Sequence, residues 1–140
     1  MKYFILQPEV AGGLGEHTVM DTTVHPPVVS RLHYEFGGWL GDDLLESFPC
    51  YIVTARLKEA LVEAGVSGCT FDAVEVSKSD DFKELYPDRE LPQFFWLKVH
   101  GRPGVNDCGS TPEAQLVVSE LCLQTTKTFN LAHCDIEPYL

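Results

Sequence analysis

The chain of 140 residues lacks most of what marks a catalyst or a membrane protein. Its longest apolar runs fall well short of the roughly eighteen residues a membrane span needs, so no span is expected. The opening Met1-Lys2-Tyr3-Phe4-Ile5-Leu6-Gln7-Pro8-Glu9 carries one cation and an apolar run that Pro8 and Glu9 end. That is too short for a signal-peptide core, and a cytoplasmic protein is expected. No Cys-x-x-Cys pair occurs among Cys50, Cys69, Cys108, Cys122 and Cys134. An odd, scattered set of cysteines argues against a disulfide framework and suits a reducing compartment, where buried thiols act as small hydrophobes.

Cations are also scarce. Ten Lys and Arg stand against 21 Asp and Glu, for a formal net charge of −11. The excess is concentrated: residues 35–90 hold 13 acids against 5 cations. Such a chain repels phosphate backbones and anionic lipid, which argues against nucleic-acid and membrane partners. It attracts and steers a basic protein. An acidic surface also serves solubility alone. With 44% hydrophobic and 22% charged residues the composition is that of a folded domain, and the length fits a single domain over 1–140.

Local patterning predicts an α+β fold: a single mixed β-sheet with two main packing helices. Tyr3–Leu6 reads as a strand, 11–26 as a long turn-rich loop, and Val28–Phe36 as one alternating strand. Asp43 and Glu46 have the spacing of a capping box, which predicts a short helix over Leu44–Phe48 stopped by Pro49. Tyr51-Ile52-Val53 is a strand, Thr54 an N-cap, and Leu57, Ala60, Leu61 and Ala64 the apolar face of a helix that Gly65 ends. A strand over Thr70–Val76 and an acidic helix over Asp80–Tyr86, capped by Ser79, come next. Gln93 to His100 is almost continuously apolar, as in a central strand buried on both faces. Gly101–Pro112 is a loop, followed by a strand at Leu116–Val118, a helix bearing Leu121, Cys122, Thr125 and Phe129 with Asn130 as its C-cap, and a last strand at Cys134–Ile136. The two strand–helix–strand units align at an offset of 65 residues: Ile52-Val53-Thr54 with Val117-Val118-Ser119, Gly65 with Asn130, Cys69 with Cys134. This is a candidate duplication, and Cys69 and Cys134 would be equivalent core residues.

Motifs that carry chemistry are few. Gly12-Gly13-Leu14-Gly15 is followed by Glu16 and His17, whereas a phosphate loop needs Lys and a hydroxyl there, so no nucleotide cofactor is expected. His17, His25, His33 and His100 show no ligand spacing, and His133 and Cys134 on one strand point to opposite faces, so no metal is expected. Cys108 lies in an Asp107-Cys108-Gly109 turn and is expected to be an exposed thiol, which the acid beside it makes less reactive. The pairs Asp42-Asp43 and Asp80-Asp81 fall at expected helix N-termini, where capping and the helix dipole account for them without catalysis. Trp39, between glycines and acids, is a candidate anchor for a partner; folding back on the core is the commoner fate of a tryptophan.

Trp39-Leu40-Gly41-Asp42-Asp43-Leu44-Leu45, Phe48-Pro49, Leu91-Pro92, Phe95-Trp96-Leu97-Lys98-Val99, Asp107 with Gly109, and Leu116-Val117-Val118-Ser119-Glu120 together resemble a family of small bacterial polymorphic-toxin immunity proteins. The resemblance covers about residues 34–136. Asn106 and Cys108 beside Asp107 depart from the family pattern of a second acid and an aromatic. The resemblance implies a non-catalytic antitoxin-type protein that binds and neutralises a cognate toxin. A contact surface of Trp39, Asp42, Asp43, Glu46, Asp80, Asp81 and Asp107 is expected to face a basic toxin. The alternatives are a small enzyme centred on His33, His100 and Asp107, and a regulatory protein-binding module.

Overall fold

The computed structural model describes residues 2–140. It is mostly β, with 40% of residues in strands and 17% in helices. The expected single mixed sheet is absent: the strands form four separate sheets with three helices. Among the described residues no helix is long and apolar enough to cross a membrane.

In chain order, β1 is Tyr3–Gln7, β2 Gly12–Leu14, β3 Val19–Asp21, β4 Val28–Arg31, β5 His33–Phe36, β6 Leu44–Ser47 and β7 Cys50–Thr54. Then come α1 (Ala55–Glu63), β8 (Cys69–Asp72), β9 (Glu75–Lys78), α2 (Asp80–Leu85), β10 (Phe94–Val99), β11 (Cys108–Ser110), β12 (Leu116–Ser119), α3 (Glu120–Lys127) and β13 (Asp135–Tyr139). The central sheet has the order β6-β7-β10-β8 and a second sheet the order β11-β12-β1-β13. The two strand–helix–strand units occupy equivalent places in these two sheets. Each begins on a strand paired to a short edge strand, passes through a helix, and returns on the far side of a strand from elsewhere in the chain, β10 in one case and β1 in the other. Cys69 and Cys134 are half-buried against the same core.

The central sheet is buried on both faces, and side-chain alternation shares its residues between two cores. Tyr51, Val53, Leu97 and Leu44 enter one core with Leu57 and Leu61 of α1, Cys122 and Leu123 of α3, and Leu6, Leu116 and Val118 of the second sheet. Ile52, Cys50, Leu45, Phe94 and Trp96 enter the other, with Tyr34, Phe36, Leu32, Ala11 and Phe82. This double burial explains why the Leu44–Ser47 strand reads as a helix. Leu44 and Leu45 both need apolar cover, on opposite faces, so the polar alternation that announces a strand is missing.

The expected loop over 11–26 contains β2 and β3. Together with β4 and β5 they form a long bent ribbon, with β2 paired to β5 and β3 to β4. Gly12 is required in this ribbon, because a Cβ there would overlap the Glu35 carbonyl. The expected single strand over 28–36 divides at the buried Leu32, and its second half pairs in parallel with β9. The expected strand over 70–76 likewise divides into β8 and β9, which lie in different sheets. The segment 101–112 contains β11, and the C-cap of α3 is Thr128, not Asn130.

The two halves of the chain interlock where the loop after α1 meets β11. Gly68 has φ +88°, and a Cβ on it would overlap the Cys108 carbonyl and Asn106. Replacing Gly68 with alanine is therefore expected to cost about 2 kcal/mol from the strained backbone, with the overlap adding to it. A denaturant midpoint unchanged from wild type would contradict this packing.

Candidate functional site

The seven residues expected to face a partner divide by burial. Asp42 and Asp43 are each only 1% exposed. They are structural carboxylates, not parts of a docking surface, because each is consumed by donors from distant segments. Asp42 Oδ2 accepts the His133 backbone N–H at 2.8 Å, and its Oδ1 lies 3.1 Å from His133 Nδ1. Asp43 accepts from the Thr54 hydroxyl, from Arg56 Nε and Nη2 at 2.8 Å each, and from the Asn130 N–H at 2.9 Å. Asp43 thus does serve a helix N-terminus, but that of α1, acting through Thr54, whose own hydroxyl accepts the Leu57 N–H. Asp107 has the matching place in the other half. It accepts from the Ser119 hydroxyl at 2.7 Å and from the Ser67 N–H at 2.9 Å, and Ser119 caps α3. Each of these two aspartates ties its own helix cap to the loop after the other helix. Glu46 is half-buried on β6, and burial raises its pKa.

Burial by itself would raise the pKa of Asp43, but Arg56, Thr54 and Asn130 outweigh it and hold the carboxyl below its ordinary value. Asp107 is depressed in the same way, with Ser67 and Ser119 overcoming desolvation. A carboxyl depressed in the folded state contributes stability that is present above its unfolded pKa of about 3.9 and disappears as pH falls through the folded value. Stability is expected to decline in that acid window, and less steeply in Asp43→Asn. Parallel pH profiles of the two proteins would contradict the assignment.

The exposed acids lie elsewhere. Asp80, Asp81, Glu84, Asp88 and Glu90 are all exposed, on α2 and the loop after it. Among the described residues none of the five lies within ion-pair distance of a cation. Ser79 caps α2 by accepting the Phe82 N–H at 3.1 Å, and Phe82, fully buried, pins the helix to the core. Lys78 Nζ donates to the Arg89 carbonyl at 2.6 Å and fixes the loop. Leu85 and Tyr86 remain 67% and 44% exposed among the acids. Trp39 adjoins this segment: the Arg89 guanidinium lies 4.9 Å over its ring, its indole N–H donates to the Asp42 carbonyl at 2.9 Å, and its edge meets Phe94 at 5.9 Å. A cavity of about 560 Å³ opens between Trp39, Glu90, Leu91 and Gln93 on one side and Arg56 and Asn130 on the other. Asp80 and Asp81 are therefore the expected contact residues left exposed, and Trp39 is half-buried, packed against the second core. Glu84, Asp88, Glu90, Leu85 and Tyr86 join them, and their crowding within eleven residues of sequence was the available signal.

The alternative enzyme centre of His33, His100 and Asp107 is not assembled by any hydrogen bond among the described residues. His33, 4% exposed, accepts the His17 N–H on Nδ1 at 3.2 Å, which leaves Nε2 protonated and donating to Ser77 Oγ at 2.7 Å. His100 and Asp107 sit beside the loop after α1. Cys108, expected to be exposed, is 1% exposed. Two groups hold potential metal-ligand atoms within 4.8 Å of one another, His17 with His33 and Glu75, and Glu9 with Asp42 and His133. In the first, both nitrogens of His33 are already engaged. In the second, Glu9 accepts the Leu40 N–H at 2.7 Å and Asp42 holds His133, so both carboxylates organise loops.

Set against models of known protein families and against curated proteins, the chain matches none.

Proposed function

We propose that this chain is a non-catalytic binding protein that covers a basic partner with its acidic face, and that the partner is a bacterial toxin which the complex neutralises. The observation that carries the reading is the 80–90 segment, five exposed carboxylates without a cationic partner among the described residues, around exposed Leu85 and Tyr86. Unpaired acids on a fixed element attract a basic surface over a Debye length of about 8 Å at physiological salt. Apolar and aromatic side chains among them supply the desolvated contacts that hold the partner afterwards. An interface of ordinary size buries about 1,600 Å² in total, and α2 with the Trp39 cavity forms its centre. The toxin as partner is what the resemblance to immunity proteins supports, and the scattered free cysteines support the cytoplasm as the place of action.

Co-expression with a toxin domain encoded beside this chain is the experiment. Rescued growth and a purified complex that weakens between about 50 and 500 mM salt are expected. A complex indifferent to salt would remove the acidic face from the account, and the absence of both rescue and complex would remove the toxin.

A further inference from the structure

The five cysteines are all free thiols, and three of them meet. Cys108 on β11 and Cys122 on α3 have their sulfurs 3.6 Å apart inside the main core. Cys69 on β8 is half-buried at the edge of the central sheet and packs against the same cluster. Strands β8 and β11 belong to different sheets, yet the loop that leads into β8 touches β11: the Cys108 N–H donates to the Ser67 carbonyl at 2.9 Å. The three thiols therefore lead from a partly accessible strand edge to the interior.

Cys69, the more accessible of the Cys69 and Cys108 pair, is also the more acidic. A hydrogen bond from the Cys108 thiol holds Cys69 below the ordinary thiol value, against the effects of burial and of Asp107. Cys108 is pushed far up by its two sulfur neighbours and by burial. Burial lifts Cys50 and Cys134 to about 12. Thiolate, not thiol, is the nucleophile, so the group that can be reached is also the one that can react.

We propose that Cys69, Cys108 and Cys122 form an oxidative modification site, in which a hydroperoxide reacts at Cys69 and Cys108 resolves the product into a disulfide. Cys69 sulfur attacks the peroxide O–O bond, forming an S–O bond and releasing water or an alcohol once the leaving oxygen is protonated. Cys108 sulfur then attacks Cys69 sulfur. The S–S bond forms, the S–O bond breaks, and hydroxide leaves as water with the Cys108 proton. The two sulfurs have together given two electrons to the peroxide. Attack by Cys122 on Cys108 next moves the bond to Cys108–Cys122 and returns Cys69 to the thiolate, the Cys122 proton passing to solvent. The first disulfide ties the edge of the central sheet to the edge of the second; the last lies wholly within the second half.

The test uses the reduced full-length chain, treated with hydrogen peroxide, quenched with N-ethylmaleimide and mapped without reduction. A loss of two hydrogens is expected, with Cys69–Cys108 or Cys108–Cys122 linked and Cys50 and Cys134 alkylated. Cys69→Ser is expected to slow oxidation at least about tenfold, because Cys50, Cys108 and Cys122 are buried and half-buried Cys134 is lifted to about 12. Cys108→Ser is expected to leave a sulfenic acid at Cys69 that dimedone labels. A first disulfide containing Cys50 or Cys134, links only between chains, no disulfide at all, or a wild-type rate in Cys69→Ser would each overturn the proposal. The mapping on wild-type protein decides the pairing even where a variant folds poorly.

Discussion

Asp43→Ala is expected to destabilise the fold by about 3 kcal/mol, through loss of a buried charge partner and of several hydrogen bonds at once. At this chain length that corresponds to a fall in melting temperature of roughly 10 °C. The carboxylate is 1% exposed and accepts from four donor atoms on three residues, Thr54, Arg56 and Asn130. Alanine would orphan the Thr54 hydroxyl and the Asn130 N–H and release the Arg56 guanidinium. Arg56 is itself largely exposed, so Arg56→Ala is expected to cost less, since water can replace some of what Asp43 loses there. Asp43→Asn should fall between the two. If Arg56→Ala proved the more damaging, the pair would be holding Arg56 in place over Phe129, and not the caps.

The same aspartate shows where sequence reading succeeds and where it stops. The units built from local signals were legible: Thr54 caps α1, Gly65 follows its end at φ +72°, and Ser79 and Ser119 cap α2 and α3. Each involves contacts within a few residues. The strands of the central sheet were legible only where length or β-branching marked them, as in β7 and β10. β6 was hidden because both of its leucines are buried, and β2 because Gly12 answers a neighbouring strand. The count of sheets depends on pairings such as β1 with β13, about 130 residues apart, which no local pattern encodes. The candidate site failed in the same way. Asp42-Asp43 and Asp80-Asp81 look alike as dipeptides; the first is buried by partners 87 and 91 residues away, while the second is exposed and has no such partner among the described residues.

Reversing Glu84, Asp88 and Glu90 to lysine is expected to reduce the association rate with a basic partner by about 10- to 1,000-fold at low salt. The three side chains are exposed and unpaired, so their loss should leave stability within about 0.5 kcal/mol of wild type. Asp80 and Asp81 are better kept in this variant, because they also favour the N-terminus of α2, where each contributes about 0.3–1 kcal/mol. Charge reversal at Asp42 or Asp43 would be uninformative about docking, since it would disrupt the fold. Trp39→Ala belongs to a different stage of binding. It is expected to raise the dissociation rate by removing an anchor while leaving the encounter rate near wild type.

Everything functional in this account depends on the 80–90 segment being the face that meets a positive partner. The most direct measurement is the stopped-flow association rate with the co-expressed toxin domain, taken across ionic strength for wild type and for the Glu84, Asp88 and Glu90 reversal. A steep fall with salt for wild type and a slow, nearly flat response for the variant are predicted. Equal rates for the two proteins at every salt concentration would contradict the account.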